Sequence, residues 1–492
     1  MLVHDLLKRG NDSDDAVYSQ LGALTYLGLK VAVENSRRRL YAQGVRRNQR
    51  VAIYSRNRAE YIAAFMAIVS LGAIAVPLHF QLSAREVAAI LQDADCRFLL
   101  TDRELALDVA LAARGVPAVR QIVLAALIEP TTLPPPPVLA KDFGADETAA
   151  LFYTPGTDGT PWGVMLSHRN LVMNAIDVQQ AIGLRRADNI FCALPLDHPF
   201  GWTCTVMGAL YVGATISVLD TVTPQKTIDV ARVLGVTVIV LGPSLLPLIT
   251  RLAQPADMKS LRFVLSGEEP LEPEIGEAFR QKFGVPVVEG YGLPEASPVV
   301  TMNDPQATRS GSVGTSIPDV RVRVAKPDGS GASDGEAGEL LVQGPNVMHG
   351  YWRRPEATAA ALADGWLHTG VTARREADGY VYILERRGEN LVNMGERISP
   401  REIETVIGAY PGVAEAAVVS VEAAARGKVL SCFYTVEEDG FVDPQKLKKY
   451  LQKKLALFKI PRAFYELEKI PRTAAGHIDR AALSAPPEGK SE

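Results

Sequence analysis

The sequence has few cysteines and no excess of basic charge, and each of these shortages excludes a class of protein. Lysine and arginine are spread along the chain and the formal net charge is -4, so no basic patch indicates nucleic acid or an anionic membrane as a partner. The cysteines are isolated and lack the spacing of a metal site or a disulfide framework. We therefore expect reduced core residues at Cys96, Cys192, Cys204 and Cys432.

Long apolar runs are also missing. The most apolar stretch, residues 63–76, contains Ser70 and Gly72 and is too short to cross a bilayer, so we predict no membrane span. Residues 1–5 show no basic region followed by an apolar run, and no signal peptide is therefore indicated. We expect a cytoplasmic protein that acts on small molecules or on protein partners.

The composition is typical of a globular enzyme with more than one domain. A chain of 492 residues is too long for one compact core, and 47% apolar residues leave ample material for a sizeable interior. Short β-branched runs alternate with helical patterns: residues 51–54 precede 59–71, and residues 236–241 precede 244–252. This alternation predicts an α/β fold in which two βα-layered subdomains make up most of a large N-terminal lobe.

The pattern changes towards the C-terminus. From Val320, short strands alternate with turn signals, which predicts a small β-barrel-like subdomain. Beyond it we expect a compact α+β unit with a helix over 400–408, a strand over 413–421 and an amphipathic helix over 444–455. We predict an N-terminal lobe over residues 1–387 and a small mobile C-terminal lobe over residues 388–492. Gly388 is the predicted hinge, because a residue without a Cβ tolerates large backbone rotations.

A loop rich in glycine and threonine, residues 153–164, lies between an apolar strand pattern and a helix expected to begin near His168. Such a loop can offer backbone amides and hydroxyls to phosphate groups. By itself it is equally typical of a flexible surface loop. Further short motifs follow in order along the chain, over residues 194–198, 266–271, 290–295, 338–340, 350–352, 364–370 and 471–478.

In that order and at those separations, the motifs resemble the adenylate-forming superfamily, in particular its acyl- and aryl-CoA ligases. The resemblance covers nearly the whole chain, from Leu24 to Arg480. It implies a reaction in which a carboxylate attacks the α-phosphate of Mg-ATP to give an acyl-adenylate and pyrophosphate, after which a thiol displaces AMP. It also implies that the C-terminal lobe rotates about the hinge between these steps.

The resemblance implies roles for individual residues. Glu295 matches the carboxylate that binds Mg²⁺, Tyr291 the residue that stacks on adenine, and Arg386 the arginine that binds ribose. Together with Glu295, the implied catalytic residues are His198 and His477. The implied nucleotide- and CoA-binding positions are Thr154, Gly156, Thr157, Gly159, Gly267, Glu268, Glu269, Tyr291, Gly292, Val371, Arg386 and, at the turn beside the pantetheine channel, Gly395.

Several positions depart from the family pattern, and most of them concern ATP. Pro155 offers neither a hydroxyl nor an N–H group, and Val371 cannot accept a hydrogen bond from a ribose hydroxyl. Loss of one donor aimed at developing negative charge typically lowers a rate about a hundred- to a thousandfold. We therefore expect that binding of ATP or AMP and Mg²⁺ is weak or lost. The departures are Pro155, Asp158, Trp162, Pro294, Val371 and His477.

The acyl side of the expected site departs less from the family. Gly290 has no side chain, and we expect it to leave the floor of the pocket open to a long, fatty or aromatic acid. The alternative for His198 and Trp202 is that they simply pack the core. The positions that the resemblance assigns to the acyl pocket are His198, Gly201, Trp202, Gly242, Gly290, Ser297 and Pro298.

Two hypotheses follow for the function. The first is an AMP-forming acyl- or aryl-carboxylate CoA ligase, with a small-molecule carboxylate and CoA as substrates, whose adenylation step is impaired. The second is a catalytically inactive homologue that binds an acyl group, an acyl-CoA or a partner protein without consuming ATP. The sequence leaves both open, as it does the identity of the acid and the formation of a homodimer.

Overall fold

The computed structural model of the protein describes residues 1–20, 22–102, 119–156, 160–386, 391–393, 396–423, 427–437, 440–472 and 478–483. The strands of the N-terminal lobe are β1 Asp15–Ser19, β2 Gly22–Thr25, β3 Arg50–Tyr54, β4 Ile74–Leu78, β5 Phe98–Thr101, β6 Arg120–Val123, β7 Thr148–Pro155, β8 Pro161–Ser167, β9 Asn189–Cys192, β10 Thr215–Val218, β11 Val238–Leu241, β12 Phe263–Ser266, β13 Val287–Gly292, β14 Val299–Met302, β15 Thr315–Ser316, β16 Arg321–Ala325, β17 Ala337–Gln343, β18 Gly350–Tyr351, β19 Leu367–Arg375 and β20 Val381–Arg386. Those of the C-terminal lobe are β21 Leu391–Asn393, β22 Glu396–Ile398, β23 Val413–Ala423, β24 Gly427–Val436 and β25 Ala463–Glu466.

The helices connect the strands and cover the sheets. In chain order they are α1 Tyr26–Ala42, α2 Ala59–Ser70, α3 Ala84–Asp93, α4 Leu124–Ile128, α5 His168–Ile182, α6 Pro199–Gly201, α7 Gly208–Val212, α8 Pro224–Leu234, α9 Leu246–Leu252, α10 Pro273–Phe283, α11 Pro355–Ala361, α12 Pro400–Gly408 and α13 Pro444–Gln452. Helix α5 begins after a reciprocal cap, in which Ser167 Oγ accepts from the Asn170 N–H at 3.1 Å and Asn170 Oδ1 accepts from the Ser167 N–H at 2.8 Å. No helix in the described ranges is both long and apolar enough to cross a membrane.

Two large sheets form the body of the N-terminal lobe. The nine-stranded sheet has the order β15-β14-β13-β12-β11-β9-β10-β1-β2, and the seven-stranded sheet has the order β18-β8-β7-β4-β3-β5-β6. Their central strands are parallel, as the alternating strand and helix patterns predict. Helix α2 is buried along almost its whole length. A continuous hydrophobic core therefore joins the layers on both sides of it.

The smaller units also follow the prediction. Strands β16, β17, β19 and β20 form the four-stranded antiparallel sheet of a half-barrel. The C-terminal lobe contains the three-stranded sheet β23-β24-β25 and two helices around its own hydrophobic cores. The expected α/β architecture, with a large N-terminal and a smaller C-terminal lobe, is thus confirmed. The boundary at residues 387/388 and the mobility of the small lobe stay predictions, and Gly388 lies outside the described residues.

The topology brings several predicted motifs to one place. Parallel strands that share a sheet end at the same edge, and open α/β folds bind ligands in the crevice beyond the carboxyl ends of their strands. His198 comes shortly after β9, Gly242 follows β11, and Gly267 follows β12. From the other large sheet, His79 follows β4 directly. All four cysteines are buried, unbridged thiols, as expected.

Candidate functional site

A continuous cavity of about 1810 Å³ lies at the carboxyl ends of these strands. The N-terminal lobe lines it with residues such as His198, Gly242 and Tyr291, and the C-terminal lobe contributes Glu396 and Lys459. The two lobes therefore enclose the cavity together. Many of the motifs that are separated along the chain meet in this one space.

His198 forms an ion pair with Glu268 inside the cavity. Its Nδ1 lies 2.8 Å from Glu268 Oε1, and the side chains are 22% and 4% exposed. The Phe200 N–H donates a hydrogen bond to the same Nδ1 at 3.3 Å, so the short contact with Glu268 is described as an ion pair. Burial opposes the charge on the imidazole, but Glu268, with smaller contributions from Glu396 and Asp197, outweighs burial and raises the pKa of His198 to about 9.

Further ionisable groups surround this pair, and they come from both lobes. His79 Nε2 lies 3.3 Å from Glu396 Oε1 of the C-terminal lobe. Burial lowers the pKa of His79, raises that of Glu396, and raises that of Asp197 to about 6. Neither His79 nor Glu396 was identified from the sequence as a site residue. They are far apart in the chain, and only their proximity in the folded protein identifies them as part of the site.

Loss of the Glu268 charge is expected to lower the pKa of His198. In Glu268→Gln, burial remains and only the weaker attractions of Glu396 and Asp197 are left, so the pKa should fall below about 9. In the native protein the protonated imidazole stabilises the fold below pH about 6.5, and this contribution is lost as the pH rises through about 9. NMR titration of the His198 ring measures both values. An unchanged midpoint in the folded variant would mean that Glu268 does not hold the charge.

The predicted phosphate loop is a hairpin between β7 and β8. The Gly156 N–H donates to Thr160 O at 2.8 Å, and a Cβ added at Gly156 would lie 2.4 Å from Trp162 Nε1. The indole of Trp162 is thus folded against the loop, and it also packs edge-on against Tyr351 with ring centroids 5.1 Å apart. Thr154 lines the cavity, whereas Thr157, Asp158 and Gly159 lie outside the described residues.

Glu295, the predicted Mg²⁺ ligand, lies behind this aromatic pair. Its Oε1 accepts a hydrogen bond from the Tyr351 hydroxyl at 3.0 Å, and its buried Oε2 has no hydrogen-bond partner among the described residues. Glu295 itself does not line the cavity, and its role as a Mg²⁺ ligand stays a prediction. The described part of the chain holds no group of three or more His, Cys, Asp or Glu side chains that could bind a metal without other ligands.

The predicted adenine and ribose positions meet at the cavity. The cavity is lined by Tyr291, Gly292, Gly267 and Glu269. Position 292 requires glycine because the backbone of Pro298 lies very close, and a Cβ at Gly292 would be 2.3 Å from Pro298 O. Val371 also lines the cavity and pairs with Arg386 between β19 and β20, which brings the two predicted ribose positions together on one ladder. The Arg386 side chain is not among those described, and Gly395 and His477 lie outside the described residues.

Gly201 and Trp202, two predicted acyl-pocket residues, lie away from the cavity. Trp202 is fully buried and packs on Phe65, with ring centroids 4.0 Å apart, in a π-helical turn over Trp202–Met207. A Cβ at Gly201 would lie 2.9 Å from Pro195 O. Neither residue lines the cavity. These contacts favour the alternative interpretation of Trp202 as a core residue, whereas His198, just before this turn, lines the cavity.

Gly290, where an open floor of the acyl pocket is predicted, lies against the side chain of Met302. A Cβ added there would lie 2.8 Å from Met302 Sδ, so the thioether of Met302 already fills that space. Ser297 is fully buried, and its hydroxyl donates to Asn346 O at 2.7 Å. Pro298, Gly242 and Gly290 line the cavity. The assignment of these residues to the acyl pocket stays a prediction.

The chain matches models of known families over most of its length. Residues 8–352 match the AMP-binding enzyme family, and residues 402–477 match the AMP-binding enzyme C-terminal domain. A feruloyl-CoA synthase from an Amycolatopsis species is 34% identical, over 93% of this chain and 92% of its own length.

Two solved structures extend the comparison. A double mutant of o-succinylbenzoate CoA synthetase from Bacillus subtilis, bound with its product analogue, is 28% identical, with a TM-score of 0.89 over 98% of this chain and 97% of that one. ATP-bound MatB from Rhodopseudomonas palustris is 27% identical, with a TM-score of 0.74 over 98% of both chains. The chain belongs to the AMP-binding enzymes, in the acyl- and aryl-CoA ligase branch of the adenylate-forming superfamily.

Proposed function

We infer that the protein is an AMP-forming CoA ligase of aryl or short acyl carboxylates in which adenylation is strongly weakened and thioester formation is retained. One observation carries this proposal. The cavity runs without interruption from the acyl wall at Gly242 to the C-terminal lobe at Asn393 and Lys454, so an acyl group and a thiol can meet inside it. The departures from the family pattern lie mainly on the phosphate and ribose side of the same space.

The shape of the acyl side favours an aromatic or short acid. Met302 fills the space below Gly290, and a long chain would have to displace it from its contact with the β13 backbone. Phe200 and Leu293 supply apolar surface at the other walls of the cavity. Aromatic rings bind well to such flat apolar walls. The feruloyl-CoA synthase at 34% identity, named for an aromatic acid, supports the same class.

The nucleotide side fits AMP better than the triphosphate of ATP. Tyr291, Gly267 and Gly292 supply a ring and close backbone surface for a base. Glu295 Oε2 is left for Mg²⁺. The hairpin, however, offers Pro155 and the indole of Trp162 in place of a hydroxyl and an ammonium group, so it provides little for the leaving pyrophosphate. These losses weaken the first step most.

The arrangement of the lobes supports the second step. At nearly equal identity and coverage, the chain agrees better with the Bacillus synthetase that holds a product analogue than with the ATP-bound MatB. Such a difference is expected when the small lobe is oriented as in the former. In the proposed step the thiol sulfur attacks the acyl carbonyl, the bond between the acyl carbon and the phosphate oxygen breaks, AMP leaves and the thiol proton passes to solvent.

Thioester formation from a preformed acyl-adenylate tests this proposal. Purified protein with synthetic benzoyl- or cinnamoyl-AMP and CoA is expected to form thioester clearly faster than the enzyme-free mixture at equal CoA. With the free acid and Mg-ATP, the yield should be lower by about a hundredfold or more, because several donors to the phosphates are missing. The thioester is quantified by chromatography.

The two half-reactions also separate the alternatives. No acceleration with any acyl-adenylate, from folded protein, would remove the ligase proposal and favour an inactive homologue that only binds acyl groups. Equal rates from the acid with Mg-ATP and from the acyl-adenylate would contradict the impaired first step. Calorimetric titration with Mg-ATP gives an independent measure, since the proposal requires weak binding.

A further inference from the structure

Glu268 adopts a backbone conformation that is unusual for its residue type. Its φ is 75°, in the left-handed region that glycine tolerates and a glutamate rarely adopts. The preceding residue, Gly267, cannot carry a side chain either, since a Cβ there would lie 2.6 Å from the Phe200 ring. A turn needed only for its backbone would be served better by glycine at both positions. The strain at Glu268 therefore indicates that its side chain has a function.

The two carboxylate oxygens of Glu268 have different surroundings. Oε1 is held by His198 at 2.8 Å. Oε2 points towards Gly242, where an added Cβ would lie 3.8 Å from Oε2 and 3.9 Å from Ser244 Oγ. A strong acceptor and a hydroxyl thus converge at the position where Gly242 has no side chain. Both Glu268 and Ser244 line the cavity.

The remaining surface of this part of the cavity is largely apolar. Phe200, Leu245 and Met302 contribute to the lining without a side-chain group that could donate a hydrogen bond. An apolar acyl group that covered Oε2 would remove it from water and would itself supply no donor in exchange. Leaving a charged acceptor unpaired in this way is unfavourable.

The charges around Glu268 favour a donor and disfavour an additional anion. His198 is the cation of the cluster, and it already faces Glu268, Glu396 and Asp197. His79, on the far side of the cluster, is kept neutral because burial lowers its pKa. A second carboxylate on the substrate would therefore meet negative charge beside Gly242. An N–H or O–H group would meet an acceptor.

We propose that Glu268 determines specificity by selecting carboxylic acids whose acyl group carries a hydrogen-bond donor, an aromatic amine or hydroxyl, that binds Oε2 beside Gly242. The proposal deepens the proposed ligase function and rests on it for the reaction. Recognition of the acid itself needs neither ATP nor CoA. A donor to a charged acceptor improves binding by about 10- to 100-fold over the same ring without it.

Calorimetric titration of the acids alone tests the selection. The probes are benzoate and cinnamate, their ortho, meta and para amino and hydroxy derivatives, and the matching methyl ethers, which keep the ring and the oxygen but remove the donor. For the native protein, at least one donor-bearing isomer should bind about 10- to 100-fold more tightly than both the unsubstituted acid and the methyl ether. Glu268→Gln should abolish this difference and bind the unsubstituted acid at least as well as the native protein does. Glu274→Gln, an exposed carboxylate on α10, should keep the native preference.

The possible results are all decisive. If the unsubstituted acids bind as tightly as every donor-bearing isomer, or if the preference survives in Glu268→Gln, Glu268 does not select the acid. Absence of binding for all acids overturns the proposal as well. The methyl-ether comparison in the native protein keeps the test valid if Glu268→Gln does not fold. If Glu268 does not select the acid but the protein still forms thioester from acyl-adenylates, only the specificity proposal is wrong and the ligase proposal stands. The two proposals can therefore be disproved separately.

Discussion

Replacing Val371 with aspartate, Trp162 with lysine and His477 with lysine in one chain is expected to raise ATP–pyrophosphate exchange by about a hundredfold or more. Aspartate would accept hydrogen bonds from ribose hydroxyls. The lysine introduced in place of Trp162 would supply a positive charge to the leaving pyrophosphate, and the lysine introduced in place of His477 would supply one to the α-phosphate. Exchange of labelled pyrophosphate into ATP measures the adenylation step alone. Stability should be followed in parallel, because Val371 is buried and a carboxylate there is costly when no ribose is bound.

The surroundings of Trp162 and Val371 make this repair physically reasonable. The indole occupies space against Gly156 and Tyr351, and a lysine there would open the hairpin and direct an ammonium group towards the loop. Val371 already lines the cavity beside Arg386 on the adjacent strand. At these two positions, therefore, the backbone is in place and only the side-chain groups that would bind ATP are missing.

A matched variant controls for shape. Val371→Leu, Trp162→Met and His477→Met together add neither the charges nor the hydrogen-bond acceptor, so this variant should show no gain in exchange. If the charged triple variant is folded and equally inert, the account based on these side chains is insufficient. Pro155 and Asp158 would then be responsible, through a loop that no longer accepts phosphate.

Local patterns predicted the architecture because each element is specified by its own residues. The helix α12 spans Pro400–Gly408 as expected, since it begins with proline at its first position and a serine cap at Ser399. Strand β11 and helix α2 likewise lie where β-branched and apolar runs predict them. The resemblance then assigned motifs to loops at the carboxyl ends of strands, and the structure brings those loops together at one cavity.

The direction of individual side chains was harder to predict. Trp202 and His198 are only a few residues apart, but a π-helical turn directs Trp202 into the core against Phe65 while His198 faces the cavity. Whether Gly290 opens a pocket depends on Met302, which lies on the neighbouring strand β14. Such contacts depend on tertiary packing, and no local pattern encodes them. The strain and burial of Glu268 are hidden in the sequence for the same reason.

Lys459 links the lobes through a buried cluster of charges that the sequence did not reveal. Its Nζ lies 2.6 Å from Glu86 Oε1 on the N-terminal lobe and 2.8 Å from Glu402 Oε1 on the C-terminal lobe, and the three side chains are 10%, 10% and 19% exposed. Burial alone would lower the pKa of Lys459, but the two carboxylates outweigh burial and raise it. Nearby, the Ser83 hydroxyl donates to Lys454 O at 2.9 Å, which adds a second contact between the lobes.

Lys459→Met is expected to weaken the contact between the lobes by about 3–5 kcal/mol, because it leaves two buried carboxylates facing each other without a cation. The small lobe should undock, and limited proteolysis should cut faster between Arg386 and Asn390 than in the native protein. The defect should shrink as the pH falls, since burial already raises the pKa of Glu402 and protonation removes the repulsion. Lys453→Met, an exposed neighbour, should behave as the native protein. Unchanged proteolysis and melting in folded Lys459→Met at neutral pH would show that the apolar contacts of the lobes, and not this ion cluster, hold them together.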